Sequence, residues 1–97
     1  MPKAYWIACY RNVADGDALA RYAKLAGPLL QAGGGRFLAR GAAAATYEGG
    51  DNQRCVLVEF DSVEQARSVY ESAAYQQALD QMRGLVEREV RIVEGVE

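Results

Sequence analysis

The chain has no histidine. That absence removes the Ser-His-Asp triad, the Cys-His dyad and any His-ligated zinc or haem iron. Its two cysteines are too few for a four-thiolate structural metal site. No metal and no cofactor are therefore expected. Basic clusters are also missing. The 11 Lys and Arg are scattered and are outnumbered by 13 Asp and Glu, whereas a protein that tracks phosphates needs a concentrated basic surface. A nucleic-acid partner is excluded on that ground. No apolar run approaches the ~20 residues of a membrane span, so no membrane partner is expected. The start, Met1-Pro2-Lys3-Ala4, passes directly into a strand pattern without a charged-then-apolar signal segment. The expected location is the cytoplasm.

What is present is an ordinary globular composition, 51% hydrophobic and 25% charged. A length of 97 residues predicts one domain over residues 1–97. The strand patterns are the most informative feature. Arg54 to Phe60 splits into Val56, Val58 and Phe60 on one parity and Cys55, Leu57 and Glu59 on the other. Lys3 to Arg11 splits into Ala4, Trp6, Ala8 and Tyr10 against Tyr5, Ile7, Cys9 and Arg11. Successive side chains point to opposite faces of a sheet, so both faces of this sheet carry apolar residues.

The order reads strand, helix, strand, strand, helix, strand. Asp15 is a helix N-cap candidate, and the first helix is expected over Gly16 to Ala32. Its stripe is Leu19, Tyr22, Ala23, Ala26, Leu29 and Leu30. Gly27-Pro28 predicts a kink inside it. Gly33-Gly34-Gly35 stops the helix. The glycines follow a helix instead of preceding one, so they offer no phosphate cradle. The second strand is expected from Arg36 to about Thr46, a hairpin loop over Glu48 to Asn52, and the third strand over Arg54 to Phe60. Ser62 and Gln65 form a capping-box pattern ahead of a stripe of Val63, Ala66, Val69 and Tyr70. A break follows at Ser72 to Ala74, then a further segment with Tyr75, Ala78, Leu79 and Met82. The last strand is expected over Glu89 to Glu94.

These elements make an α+β, ferredoxin-like β-α-β-β-α-β sandwich, a four-stranded antiparallel sheet with its helices on one face. The other face has no helix to cover it. A second copy of the chain is its expected cover, giving a homodimer. Cys9 and Cys55 are assigned to neighbouring strands read as parallel. At ~3.3 Å per residue they would lie ~10 Å or more apart, too far for a disulfide. Both are expected as reduced thiols.

The chain also resembles a known family. The residues that carry the likeness begin with Pro2 to Ala8, Tyr22 and the string Gly34 to Gly41. Glu59-Phe60 with Ser62, Ala66, Tyr70-Glu71-Ser72 with Tyr75, and Ile92 to Gly95 complete it. Together they resemble the uncharacterised bacterial family called domain of unknown function thirteen-thirty, of the dimeric α/β-barrel superfamily. The resemblance implies the ferredoxin-like fold and a dimer whose two sheets pack face to face. It implies no known reaction. Relatives commonly carry a histidine near the end of the first strand, where this chain has Cys9, so a role needing an imidazole there does not carry over. The wider superfamily includes cofactor-free monooxygenases, haem-degrading enzymes, lactone isomerases and stress-response proteins. Its enzymes bind substrate between helices and sheet.

Six residues are candidates for a ligand site: Trp6, Tyr22, Arg40, Glu59, Tyr70 and Tyr75. Glu59 faces the predicted dimer barrel, where a carboxylate needs a partner or a proton. Its readings are an ion pair with Arg40 or Arg11, a general base of raised pKa, and a solvated strand end. The tyrosines either pack with satisfied hydroxyls or line a cleft, and Trp6 either fills the core or floors that cleft. Arg40 and Arg54 either form ion pairs or bind a substrate carboxylate. No residue is assigned as catalytic. Three functions stay open. One is a small homodimer binding a small, partly apolar ligand between sheet and helices. Another is a cofactor-free monooxygenase- or isomerase-like enzyme. The last is a non-catalytic structural or stress-associated dimerisation module. The space beside Trp6, Tyr22 and Tyr70 discriminates among them.

Overall fold

Alternation along the first strand decides where the core sits. In the computed structural model, which describes residues 2–49 and 54–96, β1 (Ala4–Val13) buries Ala4, Trp6, Ala8 and Tyr10 and leaves Tyr5, Ile7 and Cys9 half-buried. Strand β3 (Arg54–Phe60) repeats the pattern with Val56, Val58 and Phe60 buried. With β2 (Arg36–Ala42) and β4 (Val86–Glu94) these strands form one sheet, order β2-β3-β1-β4, antiparallel throughout. Trp6, Tyr75, Phe60 and Val58 are its largest fully buried side chains.

The inner face is covered by α1 (Gly16–Ala32), α2 (Val63–Glu71) and α3 (Ala73–Leu79). Asp15 caps α1, its carboxylate accepting from the backbone N–H groups of Asp17 and Ala18. The helix runs unbroken through Gly27-Pro28. The residue before a proline is pushed from helical geometry partly by its Cβ, and Gly27 has none. The triple glycine closes α1 as a Schellman turn: Gly34 takes φ +97°, its N–H reaches the carbonyl of Gln31, and that of Gly35 reaches Leu30.

Ser62 caps α2 by accepting from Gln65 N–H. The return bond differs from the expected box, because the Gln65 side chain accepts from Asp61 N–H, not from Ser62. Ser72 ends α2 and starts α3: its hydroxyl donates to Val69 O and accepts from Tyr75 N–H. The expected break is found, and it sets the position of Tyr75.

The end of β2 and the start of β4 both move. Strand β2 stops at Ala42, short of Thr46, and its register shifts between Phe37 and Ala39, so Leu38 is the extra, exposed residue. Gly50, Asp51 and Asn52 of the expected hairpin loop lie outside the described residues. Strand β4 begins at Val86 instead of Glu89. Val86 pairs with Val13 and Arg88 with Tyr10, and the charge on Arg88 interrupts what is otherwise an apolar inner row of Val86, Val90 and Ile92.

The cysteine expectation is overturned. Strands β1 and β3 are antiparallel, and Cys9 lies directly opposite Cys55. Opposed residues of an antiparallel pair have Cα atoms about 4.5–5.5 Å apart, within disulfide range. Burial and then the adjacent Cys55 thiol push the Cys9 thiol up, so oxidation is favoured by alkaline conditions. Diamide near pH 9 should convert the chain to an internal Cys9–Cys55 disulfide, read by intact mass as a loss of two hydrogens per chain. Only intermolecular cross-links, with no internal form, would contradict the register.

Candidate functional site

The sheet and α1 do not close completely on each other. Between them lies a cleft of about 40 Å³, where one water needs ~10–15 Å³. That is room for a few waters or one small polar group. Trp6 and Tyr10 of β1 and Val56 of β3 line it from the sheet, Tyr22 and Gly27 from α1, and Phe37 from β2. Three arginines complete the lining: Arg40 on β2, Arg54 on β3 and Arg88 on β4. Register explains their convergence. Arg40 lies opposite Val56 and Arg88 opposite Tyr10, and both partners are buried inner-face residues.

Arg88 is the organising residue. Its guanidinium donates to the Tyr75 hydroxyl at 2.8 Å and the Tyr10 hydroxyl at 3.3 Å. It also sits over the Tyr22 ring, 4.8 Å from the centroid, and over the Tyr10 ring at the longer distance of 5.6 Å. The hydroxyls of Tyr22 and Tyr75 are 2.5 Å apart. Burial raises the pKa of both phenols, against the lowering effect of Arg88. Both therefore stay protonated at neutral pH and act there as neutral hydrogen-bonding groups. Around them Trp6 meets Tyr75 edge-on at 5.2 Å and Tyr70 at 5.6 Å.

The six candidates divide. Trp6, Tyr22 and Arg40 line the cleft. Tyr75 is fully buried behind the cleft and touches its lining through Tyr22, Arg88 and Trp6. Tyr70 packs on Trp6 and Tyr75 but borders separate surface grooves beside Val90. Glu59 is on the opposite face of the sheet, bonded to Arg36 at 3.0 Å and to the Tyr5 hydroxyl at 3.0 Å. Its expected partners are elsewhere: Arg11 pairs with Glu89, and Arg40 lies over the Phe37 ring at 4.9 Å. Arg36 is nearer because it is the register partner of Glu59 across β2 and β3. Tyr10, Phe37 and Arg88 were not among the sequence candidates. Extending the Val90–Ile92 parity two residues upstream finds Arg88.

Arg36 also holds Asp61 at 3.0 Å, as does Lys3. The bonds from Arg36 and then Tyr5 keep the Glu59 carboxyl below its ordinary range, and those from Lys3 and then Arg36 do the same for Asp61. A raised pKa for Glu59 as a general base is thereby corrected. A carboxyl depressed in the folded state stabilises above its unfolded pKa and loses that contribution as pH falls through the folded value. Unfolded Glu and Asp titrate near 4.3 and 3.9, so the loss lies below about pH 4. Arg36→Gln should lower Tm modestly at pH 7 and by less at pH 2.5, since exposed pairs contribute little. An equal deficit at both pH values would refute the linkage.

Residues 3–96 match the family model described as Domain of unknown function (DUF1330). The chain belongs to this family. No curated protein matches it. Among solved structures, a protein of unknown function from Rhodopseudomonas palustris is similar with TM-score 0.73 and 16% identity, over 99% of this chain and 84% of that one. A dimeric ferredoxin-like protein of unknown function from Thermobifida fusca gives 0.66 and 16%, over 96% and 91%. SnoaB, a cofactor-independent oxygenase from Streptomyces nogalater, gives 0.65 and 9%, over 100% and 96%. At these identities the likeness establishes the ferredoxin-like α+β fold for this DUF1330 chain. Among the described residues no helix is long and apolar enough to cross a membrane.

Proposed function

We propose that this DUF1330 protein is a small homodimer, joined through its uncovered sheet face, that binds a small, partly apolar molecule in the cleft between α1 and the sheet. The observation that carries the binding reading is the cleft itself, aromatic-walled and lined by three arginines. Pockets that combine apolar walls with a few convergent polar groups are the default ligand sites of a fold. A pure dimerisation module has no use for such a gap, which leaves core side chains short of contacts.

A second reading, a cofactor-free monooxygenase, draws on the fold it shares with a cofactor-independent oxygenase. Removing a substrate proton at neutral pH needs a base. Tyr22 and Tyr75 stay protonated, and Glu59 is acidified and outside the cleft. Binding is the better-supported reading.

The test is a thermal-shift panel of phenols, lactones and aromatic acids on the wild type and on Ala23→Trp. Ala23 is an exposed residue of the cleft lining, so tryptophan there should obstruct the cleft while the ligand-free protein keeps its Tm. A binder raises the wild-type Tm increasingly as its concentration exceeds Kd and leaves the variant unmoved. Equal shifts in both proteins would place binding elsewhere.

A further inference from the structure

We infer that the cleft is built for an anion: a small, flat carboxylate held by Arg40 and Arg54 at its arginine-lined wall, with the Tyr22 hydroxyl donating to it. This rests on the binding reading above and adds the ligand's charge and shape.

The argument begins with where the arginines lack partners. Arg11, Arg36, Arg67, Arg83 and Arg91 each meet a carboxylate within 4 Å. Among the described residues, Arg40, Arg54 and Arg88 meet none and the cleft lining contains no Asp or Glu. The arginines that pair are outward ones, though outward Arg21 makes no such pair, and the three gathered round the cleft have no carboxylate partner among the described residues. The Nε of Arg54 is buried with no hydrogen-bond partner among the described residues. A buried donor on a charged group without a partner is costly, and a ligand oxyanion at this wall supplies one.

Arg88 is satisfied differently. Its hydrogen bonds go to phenols, and an arginine can only donate. Tyr75 accepts from Arg88 and keeps one proton to give. With an anion in the cleft, Tyr75 donates to Tyr22 and Tyr22 donates to the anion. The charge on Arg88 thus polarises a two-phenol chain that ends at the ligand. Shape follows from the walls: Trp6, Tyr10, Tyr22 and Phe37 present ring surfaces, and the small volume admits the carboxylate head while a flat body occupies the mouth. Guanidinium groups suit a carboxylate because they bind it through two parallel N–H groups.

Benzoate is the probe, with benzamide as its neutral match and inorganic phosphate as a bare oxyanion. Affinities come from calorimetry at two salt concentrations on wild type, Arg40→Gln, Arg54→Gln and Tyr22→Phe. Expected are benzoate binding at least about tenfold tighter than benzamide or phosphate, weakening in high salt, and falling at least about tenfold in each arginine variant and several-fold in Tyr22→Phe. Arg40 is exposed, so that variant stays folded even if Arg54→Gln does not. Benzamide binding as tightly as benzoate overturns the anion proposal and leaves the binding reading standing. Phosphate binding as tightly overturns the flat carboxylate. If no member of the broader panel binds, the binding reading itself falls.

Discussion

Gly35→Val should lower the melting temperature by roughly 10–20 °C. Gly35 is the buried residue that turns the chain from α1 into β2. A Cβ built on it would meet Val58 Cγ1 at 2.8 Å, Leu30 O at 2.9 Å and Phe60 Cζ at 2.9 Å. Two of these atoms belong to core side chains and one to the backbone of the helix cap, so none has free space to move into. Forcing methyl groups into a packed core costs about 1–3 kcal/mol, a large share of the ~5–10 kcal/mol that holds a chain of this size. Strand β2 carries Phe37 and Arg40, so displacement there should also open the cleft wall and weaken any ligand that Arg40 holds. Gly16→Ala is the control, since a Cβ there has nothing within 4 Å. A Gly35→Val melting temperature within about 3 °C of wild type would show that the helix-to-strand turn yields more easily than its contacts require.

Local chemistry made most of the fold legible before any coordinates. Asp15 and Ser62 each cap a helix where their sequence context put them, because a short polar side chain before an apolar stripe satisfies N–H groups that nothing else can reach; the break expected at Ser72 to Ala74 is where Ser72 caps α3. Parity in β1 and β3 separated the buried row from the half-buried row correctly. What failed was long-range. Strand direction is not encoded in any one strand, and reading β1 and β3 as parallel moved Cys55 away from Cys9, its true cross-strand partner. The same limit misassigned the partner of Glu59. Arg36, Arg40 and Arg11 are chemically equivalent in sequence, and only register distinguishes them. The site was half legible. Tyrosines and Trp6 announced an aromatic cluster, but Arg88 was hidden because a charge at an inner-facing strand position reads as the end of a strand. Its burial is explained only by three tyrosines arriving from β1, α1 and α3.

Leu57→Arg should halve the solution mass, from the two protomers of the proposed dimer to the 10.6 kDa of one. Leu57 is in the middle of the outer sheet face, opposite Ile7 on β1 and Ala39 on β2. Tyr5, Ile7 and Leu57 are half-buried there, and Leu38 and Val93 are 52% and 48% exposed. The charges that border this strip are already neutralised within the chain. Arg36 and Lys3 hold Glu59 and Asp61 at one end, and Arg11 and Arg91 hold Glu89 at the other. What remains in the centre is apolar, with no helix on that side among the described residues, which is the composition of an interface core. In the proposed dimer a second copy would meet it with the same strip, and a standard interface needs only about 800 Å² from each partner. An arginine at the centre of that contact faces its own symmetry mate and has no carboxylate within the strip, a cost of several kcal/mol. The isolated chain tolerates it, because position 57 is only half-buried there. The variant should therefore stay folded, run as a monomer in light scattering, and melt lower by the stabilisation that association supplied. Leu25→Arg, at a 48% exposed position on α1, should leave mass and melting temperature as they were. A Leu57→Arg protein that keeps the wild-type mass and melting temperature would mean that the two sheets do not meet through this strip.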